Sequence, residues 1–425
     1  MHTSRAHDDP DRSKSEGDHD PTADRHLARR TLLVGTASWL GLSTLEAFSA
    51  SSSRTPETVP DDPTKVPGGP TSSYGSRSRF ETAARLAKET RSLTPHQDLH
   101  GIITPSALHF ERHHNGVPTI DPARHRVLVH GLVDAPRIFT MDDLRRFPSV
   151  SRLVCIECSG NTAGEWTQSK GATVQETHGL MSTSEWTGVP LRTVLQEVGM
   201  RPQATWMLAE GSDAATLTRS LPIANVLDTA LLCYAQNGEA IRPEQGYPIR
   251  LVIPGWEGNT HIKWLRRLKL GAAPFMTREE TSRYTDLMPD GSARQFTFAM
   301  EAKSVITAPS GGSHLQPGYV DIRGLAWSGR GRIVRVDVST DGGHTWQETD
   351  LQAPILPQCH TRFRLGWHWP GHETVLQSRC MDETGYVQPT KTALVARRGL
   401  HSTYHNNAIH SWKVTSHGRV VPAGA

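Results

Sequence analysis

The spacing of hydrophobic and polar positions changes character near residue 300. Beyond it, Tyr319 to Leu325, Ile333 to Ser339, Thr345 to Leu351, Arg362 to Trp369 and Thr374 to Cys380 are short alternating runs separated by Gly, Asp and Pro. A period of two buries one face of each run, and short strands so spaced predict a β-sandwich over 300–425. Asp341-Gly342-Gly343 between two runs reads as a hairpin turn. From 95 to 290 the pattern is mixed. Strand-like runs at Arg126 to Val133, Ser151 to Glu157 and Ile249 to Ile253 stand among helical stretches such as Pro190 to Val198. That irregular order predicts an α+β fold rather than a doubly wound sheet. No glycine-rich phosphate loop falls at a strand–helix junction, so a nucleotide cofactor is not expected.

The N-terminal part is different again. Residues 51–94 are rich in Ser, Thr, Pro and Gly, as in Val66-Pro67-Gly68-Gly69-Pro70. They read as a poorly packed arm with one short helix, Arg79 to Arg91. Within residues 1–50, Arg29-Arg30 opens a mildly apolar run that ends near Phe48 and is followed by Ser49-Ala50-Ser51. This is the pattern of a twin-arginine signal peptide, and it implies export of a folded protein to the periplasm. Gly35, Ser38, Gly41, Ser43 and Glu46 weaken the alternative of a membrane anchor.

Removing about fifty of the 425 residues leaves enough chain for two domains. With 46 basic against 43 acidic residues, the charge balance suggests neither a nucleic-acid partner nor a polybasic membrane surface. Five cysteines leave room for a disulfide but not a disulfide framework. Cys359 and Cys380 flank a predicted strand pair and either bond or remain two thiols.

The chemistry gathers around Arg152-Leu153-Val154-Cys155-Ile156-Glu157-Cys158-Ser159-Gly160-Asn161. A c-type haem site requires His after the second Cys, where Ser159 stands. A zinc site wants a second paired ligand set, but Cys233, Cys359 and Cys380 are scattered. A thioredoxin-like pair opens a helix, whereas Leu153, Val154 and Ile156 favour a strand. Residues three apart on a strand face opposite ways, so Cys155 reads as buried core. Cys158, at the strand's end, can present a thiolate to a soft metal.

Cys158-Ser159-Gly160-Asn161 resembles the Cys-x-Gly-Asn loop of the sulfite oxidase family of molybdenum enzymes, and matching segments extend from about 95 to 415. The resemblance implies a molybdopterin-binding domain followed by an immunoglobulin-like dimerisation domain. It also implies an Mo-molybdopterin cofactor ligated by Cys158. Phe110-Glu111-Arg112-His113-His114 resembles the family's Phe-x-Arg-Asn-His segment, with His113 in place of Asn. Carried over, Arg112 contacts the substrate oxyanion, and His113 and His114 face the cofactor. Arginine suits that role because its fork of donors matches an oxyanion and stays charged. Trp186 matches a tryptophan of the substrate pocket, although taken alone it reads as core. Asp213 matches a pterin-binding acid able to accept hydrogen bonds from amino groups.

Gly246-Tyr247-Pro248-Ile249-Arg250 and Asn259-Thr260-His261-Ile262-Lys263-Trp264 resemble the segments that hold the pterin and its phosphate. There Arg250 and Lys263 supply the cations, His261 touches the pterin, and Gln245 replaces a usual His. Tyr284 matches the active-site tyrosine. Arg332, with Arg330 as the alternative, matches an arginine that the second domain sends into the substrate pocket.

Further segments, among them Gly101-Ile102-Ile103-Thr104-Pro105 and Tyr404-His405-Asn406-Asn407-Ala408-Ile409, resemble the sulfane dehydrogenase branch of the family. That branch implies a substrate sulfur carried on a cysteine of a carrier protein. It also implies a c-type, dihaem cytochrome partner, with a homodimer of Mo subunits inside a heterotetramer. The free-sulfite dehydrogenase branch shares the Mo-site motifs and is the rival reading.

Overall fold

The computed structural model describes residues 67–167 and 171–423; the expected leader, and the arm up to residue 66, lie outside them. Residues 1–76 and 77–425 separate as two units, and 67–76, the described part of the first, are exposed throughout.

From residue 127 the second unit runs through β1 (Val127–Gly131), β2 (Arg137–Phe139), β3 (Val150–Glu157), β4 (Met181–Pro190) and β5 (Trp206–Gly211). Then come β6 (Thr218–Pro222), β7 (Leu231–Gln236), β8 (Glu239–Ala240), β9 (Arg250–Val252) and β10 (Leu265–Gly271). One sheet has the order β2-β1-β10-β5-β6, parallel only between β1 and β10. The other has the order β8-β7-β4-β3, with β9 also paired to β7. Helices are short: α1 (Met141–Arg145), α2 (Val174–His178) and α3 (Leu191–Glu197). Thr140 with Asp143, and Thr173 with Glu176, form the capping boxes that start α1 and α2. Val129, Phe139, Leu144, Val194, Leu232, Leu251 and Leu268 belong to the core cluster of this half. The expected α+β order is present.

The second half is the expected sandwich. Its strands are β11 (Lys303–Ala308), β12 (Gly318–Trp327), β13 (Ile333–Ser339), β14 (Gln347–Glu348) and β15 (Asp350–Gln352). They continue as β16 (Thr361–Trp369), β17 (Thr374–Asp382), β18 (Ser411–Val414) and β19 (Val420–Pro422). One sheet runs β11-β12-β16-β15 and the other β14-β13-β17-β18-β19. Ile322, Trp327, Val336, Phe363, Trp369, Leu376 and Trp412 fill the space between them. The single run expected over Thr345 to Leu351 is divided between the two sheets. Buried Thr349 stands at the crossing and donates its N–H (2.9 Å) and its hydroxyl (3.0 Å) to the carbonyl of Val336. The hairpin at Asp341 is as expected, its carboxylate accepting from Thr345 N at 2.9 Å.

The arm departs from expectation. Instead of a helix over Arg79 to Arg91, strands Leu86–Lys88 and Arg91–Leu93 pair with each other and then with Glu111–Arg112. Leu93 is buried at 2% exposure. Cross-strand pairing and burial of Leu93 outweigh a weak helical propensity. This ribbon anchors the backbone of Arg112. Among the described residues no helix is long and apolar enough to cross a membrane.

Candidate active site

Strand β3 sorts its side chains as period two requires. Val154 and Ile156 pack with Leu180 and Trp186, while Cys155 joins the sandwich core. Cys155 is fully buried. Cys158 lies just past the strand, with its N–H donating to Leu180 O at 2.9 Å and its carbonyl accepting from Asn161 N at 2.8 Å. Asn161 closes the turn, donating from Nδ2 to Glu157 Oε1 at 2.9 Å and accepting at Oδ1 from Leu180 N at 3.2 Å. Glu157 is clamped from the sandwich by Lys303 Nζ at 2.8 Å and Trp327 Nε1 at 2.9 Å. The position of the Cys158 loop is therefore set jointly by both halves. All five cysteines are free thiols. Cys359 donates to Leu153 O at 3.3 Å, and Cys380 lies 3.8 Å from Gln388 Oε1, so the possible disulfide is not made.

Cys158, Arg112, His113, His114, Asp213, Arg250, His261, Lys263 and Tyr284 border one cavity. Its empty volume, partly open to solvent, is about 640 Å³, within the range of cofactor-sized pockets. Nine side chains spread over more than 170 positions of sequence thus converge, as the family motifs imply.

The cationic end is organised by hydrogen bonds to neutral acceptors. Arg250 donates from Nη1 to the carbonyl (3.1 Å) and to Oε1 (3.2 Å) of Gln245. Gln245 in turn donates to Phe110 O at 2.8 Å. Lys263 Nζ donates to Arg112 O (3.1 Å), Glu244 O (3.2 Å) and His113 Nδ1 (2.8 Å). Since Lys263 fills Nδ1, the His113 proton sits on Nε2, 2.8 Å from Glu111 Oε2. Burial lowers the pKa of His113, consistent with this neutral ring. Burial likewise lowers His114 to about 4, with Arg112 adding repulsion. His261 falls to about 3 for the same first reason, with Arg250 as its charged neighbour. Both nitrogens of His261 are engaged, with Ile253 N at 3.3 Å and Trp256 O at 3.0 Å. Only the carbon edge and faces of its ring remain for a ligand.

At the Cys158 end, Tyr284 is buried and its ring lies 4.8 Å beneath the Arg219 guanidinium. Burial raises the Tyr284 hydroxyl well above the ordinary tyrosine range, so it remains a donor. Burial also raises the Cys158 thiol.

Two expected residues stand elsewhere. Trp186 is fully buried behind Arg250, with the guanidinium 5.0 Å from its ring, and does not line the cavity. Its place in the middle of β4, facing Leu180 and Cys233, makes it core. Arg332 is also outside. Its backbone N–H and Nε both engage Glu383, the latter at 2.9 Å, and its side chain is 55% exposed. The alternative, Arg330, lies 5.3 Å from the Tyr386 ring and 3.4 Å from Glu301.

What the motifs missed comes from the far end of the chain. Tyr404 packs against Tyr284 at 5.0 Å, and its ring carbons line the space beside Gly160. Next to it, His405 pairs with Glu257, which is buried just behind the Cys158 loop. Arg278 and Arg283 border a neighbouring cavity that shares His114 and Tyr284 with the first. The signal for Arg283 was its adjacency to Tyr284; Tyr404 gave none besides its own motif.

These residues fit a pterin cofactor with an anionic phosphate and a soft metal. Arg250 is buried, Nε has no hydrogen-bond partner among the described residues, and the partners of Arg250 and Lys263 are neutral groups rather than carboxylates. Such a pair calls for an anion. One thiol, that of Cys158, lines the same cavity.

The comparisons with known proteins agree. The family described as oxidoreductase molybdopterin binding domain matches residues 114–279, and the Mo-co oxidoreductase dimerisation domain matches 294–412. The chain belongs to the sulfite oxidase family of molybdopterin oxidoreductases, and its cofactor is the molybdenum–molybdopterin group. Among relatives, it is 33% identical over 323 residues to mitochondrial sulfite oxidase of Mus musculus, covering 69% of this chain and 58% of that protein. It is 30% identical over 332 residues to sulfite oxidase of Gallus gallus, covering 71% of each. Among solved structures, the sulfane dehydrogenase SoxCD from Paracoccus pantotrophus matches with a TM-score of 0.83 and 44% identity. That match covers 86% of this chain and 97% of the other. The chain thus spans little more than half the length of the rodent relatives.

Proposed function

We propose that this protein oxidises sulfane sulfur held on a cysteine of a carrier protein and passes the electrons to a c-type cytochrome. The observation that carries the choice of substrate is the placement of the arginines. Arg112 borders the cavity, but Arg332 is bound to Glu383 and Arg330 lies beside Glu301, so neither adds charge to the pocket. A free sulfite dianion depends on such cations, whereas a sulfur on a flexible protein arm gains binding along the arm. The 44% identity to a sulfane dehydrogenase supports the same reading. Free-sulfite oxidation is the alternative, favoured by the similarity to the animal sulfite oxidases. The Arg29-Arg30 segment supports export to the periplasm, where a dihaem cytochrome would accept electrons. The match to a dimerisation domain supports a homodimer of this chain within the heterotetramer.

When bound, the molybdenum cofactor supplies two-electron oxygen-atom transfer to sulfur. Cys158 would hold the metal as a thiolate, giving up the proton that burial otherwise retains. Arg250 and Lys263 would neutralise the phosphate, and Asp213 would accept from the pterin. Its turn is already closed by Leu217 N at 3.1 Å. Arg112 would meet the oxygens that gain negative charge, and Tyr284 would donate to the same region.

The test is a steady-state assay of the purified protein with its cytochrome, comparing free sulfite with a persulfidated carrier. Faster turnover of the carrier-bound sulfur is expected. Fast sulfite oxidation with no response to the carrier would leave the sulfite dehydrogenase reading. In either case Cys158→Ser should abolish turnover and Cys155→Ser should retain it.

A further inference from the structure

A second cluster of ligand-type side chains lies beyond the Cys158 loop. Glu165 sits in a short helical turn, Ala163–Trp166, just after that loop. His178 is the last residue of α2, and His410 immediately precedes β18. One ligand atom from each lies within 4.8 Å of those of the other two. His178 is fully buried and His410 is 7% exposed. Nε2 of each ring is buried without a hydrogen-bond partner among the described residues.

The other contacts decide which atom His178 can offer. His178 Nδ1 is satisfied by Thr177 Oγ1 at 2.9 Å, so Nε2 is its available atom. His410 Nδ1 lies 2.8 Å from Glu165 Oε1. The rings meet edge to face at 5.1 Å, and Trp412 supports His410 at 4.4 Å. Burial and then His410 push His178 well below the ordinary histidine range, so its ring is neutral, the form that ligates. Burial opposes ionisation of Glu165, yet His410 and Lys303 hold its carboxyl below the ordinary value. Lys303 is itself closed by Glu157 at 2.8 Å. An ordinary ion pair between Glu165 and His410 would leave His178 Nε2 buried and unsatisfied beside it, which is unfavourable.

We propose that Glu165, His178 and His410 bind a zinc-class divalent cation. Two imidazoles and one carboxylate are a common zinc ligand set, with bonds of about 2.0–2.2 Å. The three ligand atoms, within 4.8 Å of one another, would close on the ion to that distance. The fourth position would take water from the cavity that Glu165 borders with Arg91, Asn161, Glu176 and Thr177. The ligands come from the segment after the Cys158 loop, from α2 and from the sandwich, so the ion would tie the loop to the second half of the molecule. This does not depend on which sulfur substrate is oxidised.

The test uses full-length holoprotein, stripped with a chelator, titrated with Zn²⁺ and desalted before elemental analysis. One retained equivalent of zinc is expected, with a higher Tm than the stripped protein. Co²⁺ in its place should give the visible spectrum of a low-coordinate N,O site. The chain also carries His2, His7, His19 and His26, so the variants decide the location. His178→Gln and His410→Gln should each lose the equivalent and the Tm response. Stripped wild-type protein that retains no zinc overturns the proposal without any variant. Zinc retained undiminished by folded His178→Gln and His410→Gln overturns it as well.

Discussion

Buried cations occur here in two contrasting settings. In one, Arg219 and Glu280 are both fully buried and joined at 2.7 and 3.3 Å, and Glu280 also accepts from Ser220 N at 2.8 Å. Arg398, equally buried, faces Asp286 and Glu301. In the other, Arg250 and Lys263 face a cavity and lean on carbonyls, an amide and an imidazole. The first kind is neutralised within the protein and holds segments together. The second is left for an anion, so its stability belongs to the complex. A closed pair therefore marks structure, while a buried cation with neutral partners marks a binding site.

The sharpest way to break this comparison is to remove one partner from each kind. Glu280→Gln leaves Arg219 buried and uncompensated, and it should destabilise the protein by about 3–5 kcal/mol in denaturant unfolding. Arg250→Met should do the reverse, leaving the Tm of the cofactor-free protein unchanged or raised, while the cofactor-loaded variant should lose its pterin on gel filtration. A cofactor-free Arg250→Met protein as destabilised as Glu280→Gln would erase the distinction.

A second contrast sets Arg112 against Arg332. A charge-assisted hydrogen bond is worth roughly 1.5–3 kcal/mol, so Arg112→Gln should lower kcat/KM about ten- to a hundredfold. Arg332→Gln removes an exposed ion pair worth about 0–1 kcal/mol and should leave kcat/KM unchanged. A large loss at Arg332 would restore it to the substrate pocket.

The smallest effect is a pH slope. Burial and then Arg250 push the Lys263 ammonium well below its ordinary value of 10.5. Between its folded value and 10.5, the unfolded chain binds the extra proton, so stability of the cofactor-free protein should rise with pH across that interval. Lys263→Met should flatten the slope, and bound cofactor phosphate should suppress it in wild type. Equal slopes in all three samples would remove Lys263 as the cause.

The parts legible in advance were those encoded locally. Alternation gave the sandwich strands nearly to the residue, as in Ile333–Ser339. It also separated Cys155 from Cys158, because neighbours three apart on a strand cannot share a face. The Arg79 to Arg91 helix failed because a partner strand eighteen or more residues away, Glu111–Arg112, competes for the same backbone hydrogen bonds. Trp186 and Arg332 failed for a related reason. A motif names a residue type at a position, but neighbours such as Arg250 and Glu383 decide which way the side chain is used.

By itself, then, the sequence determined the two-part architecture, the identity of the thiol at Cys158 and the family's cationic motif at Arg250 and Lys263. These follow from periodicity and from chemistry that no other residue type can supply. Tertiary structure alone decided that Glu157 would be gripped by Lys303 and Trp327, that Tyr404 would pack on Tyr284, and that Glu165, His178 and His410 would meet. Each of these joins segments more than a hundred residues apart. Such contacts depend on how the sandwich packs against the first half, and local patterns carry no record of that.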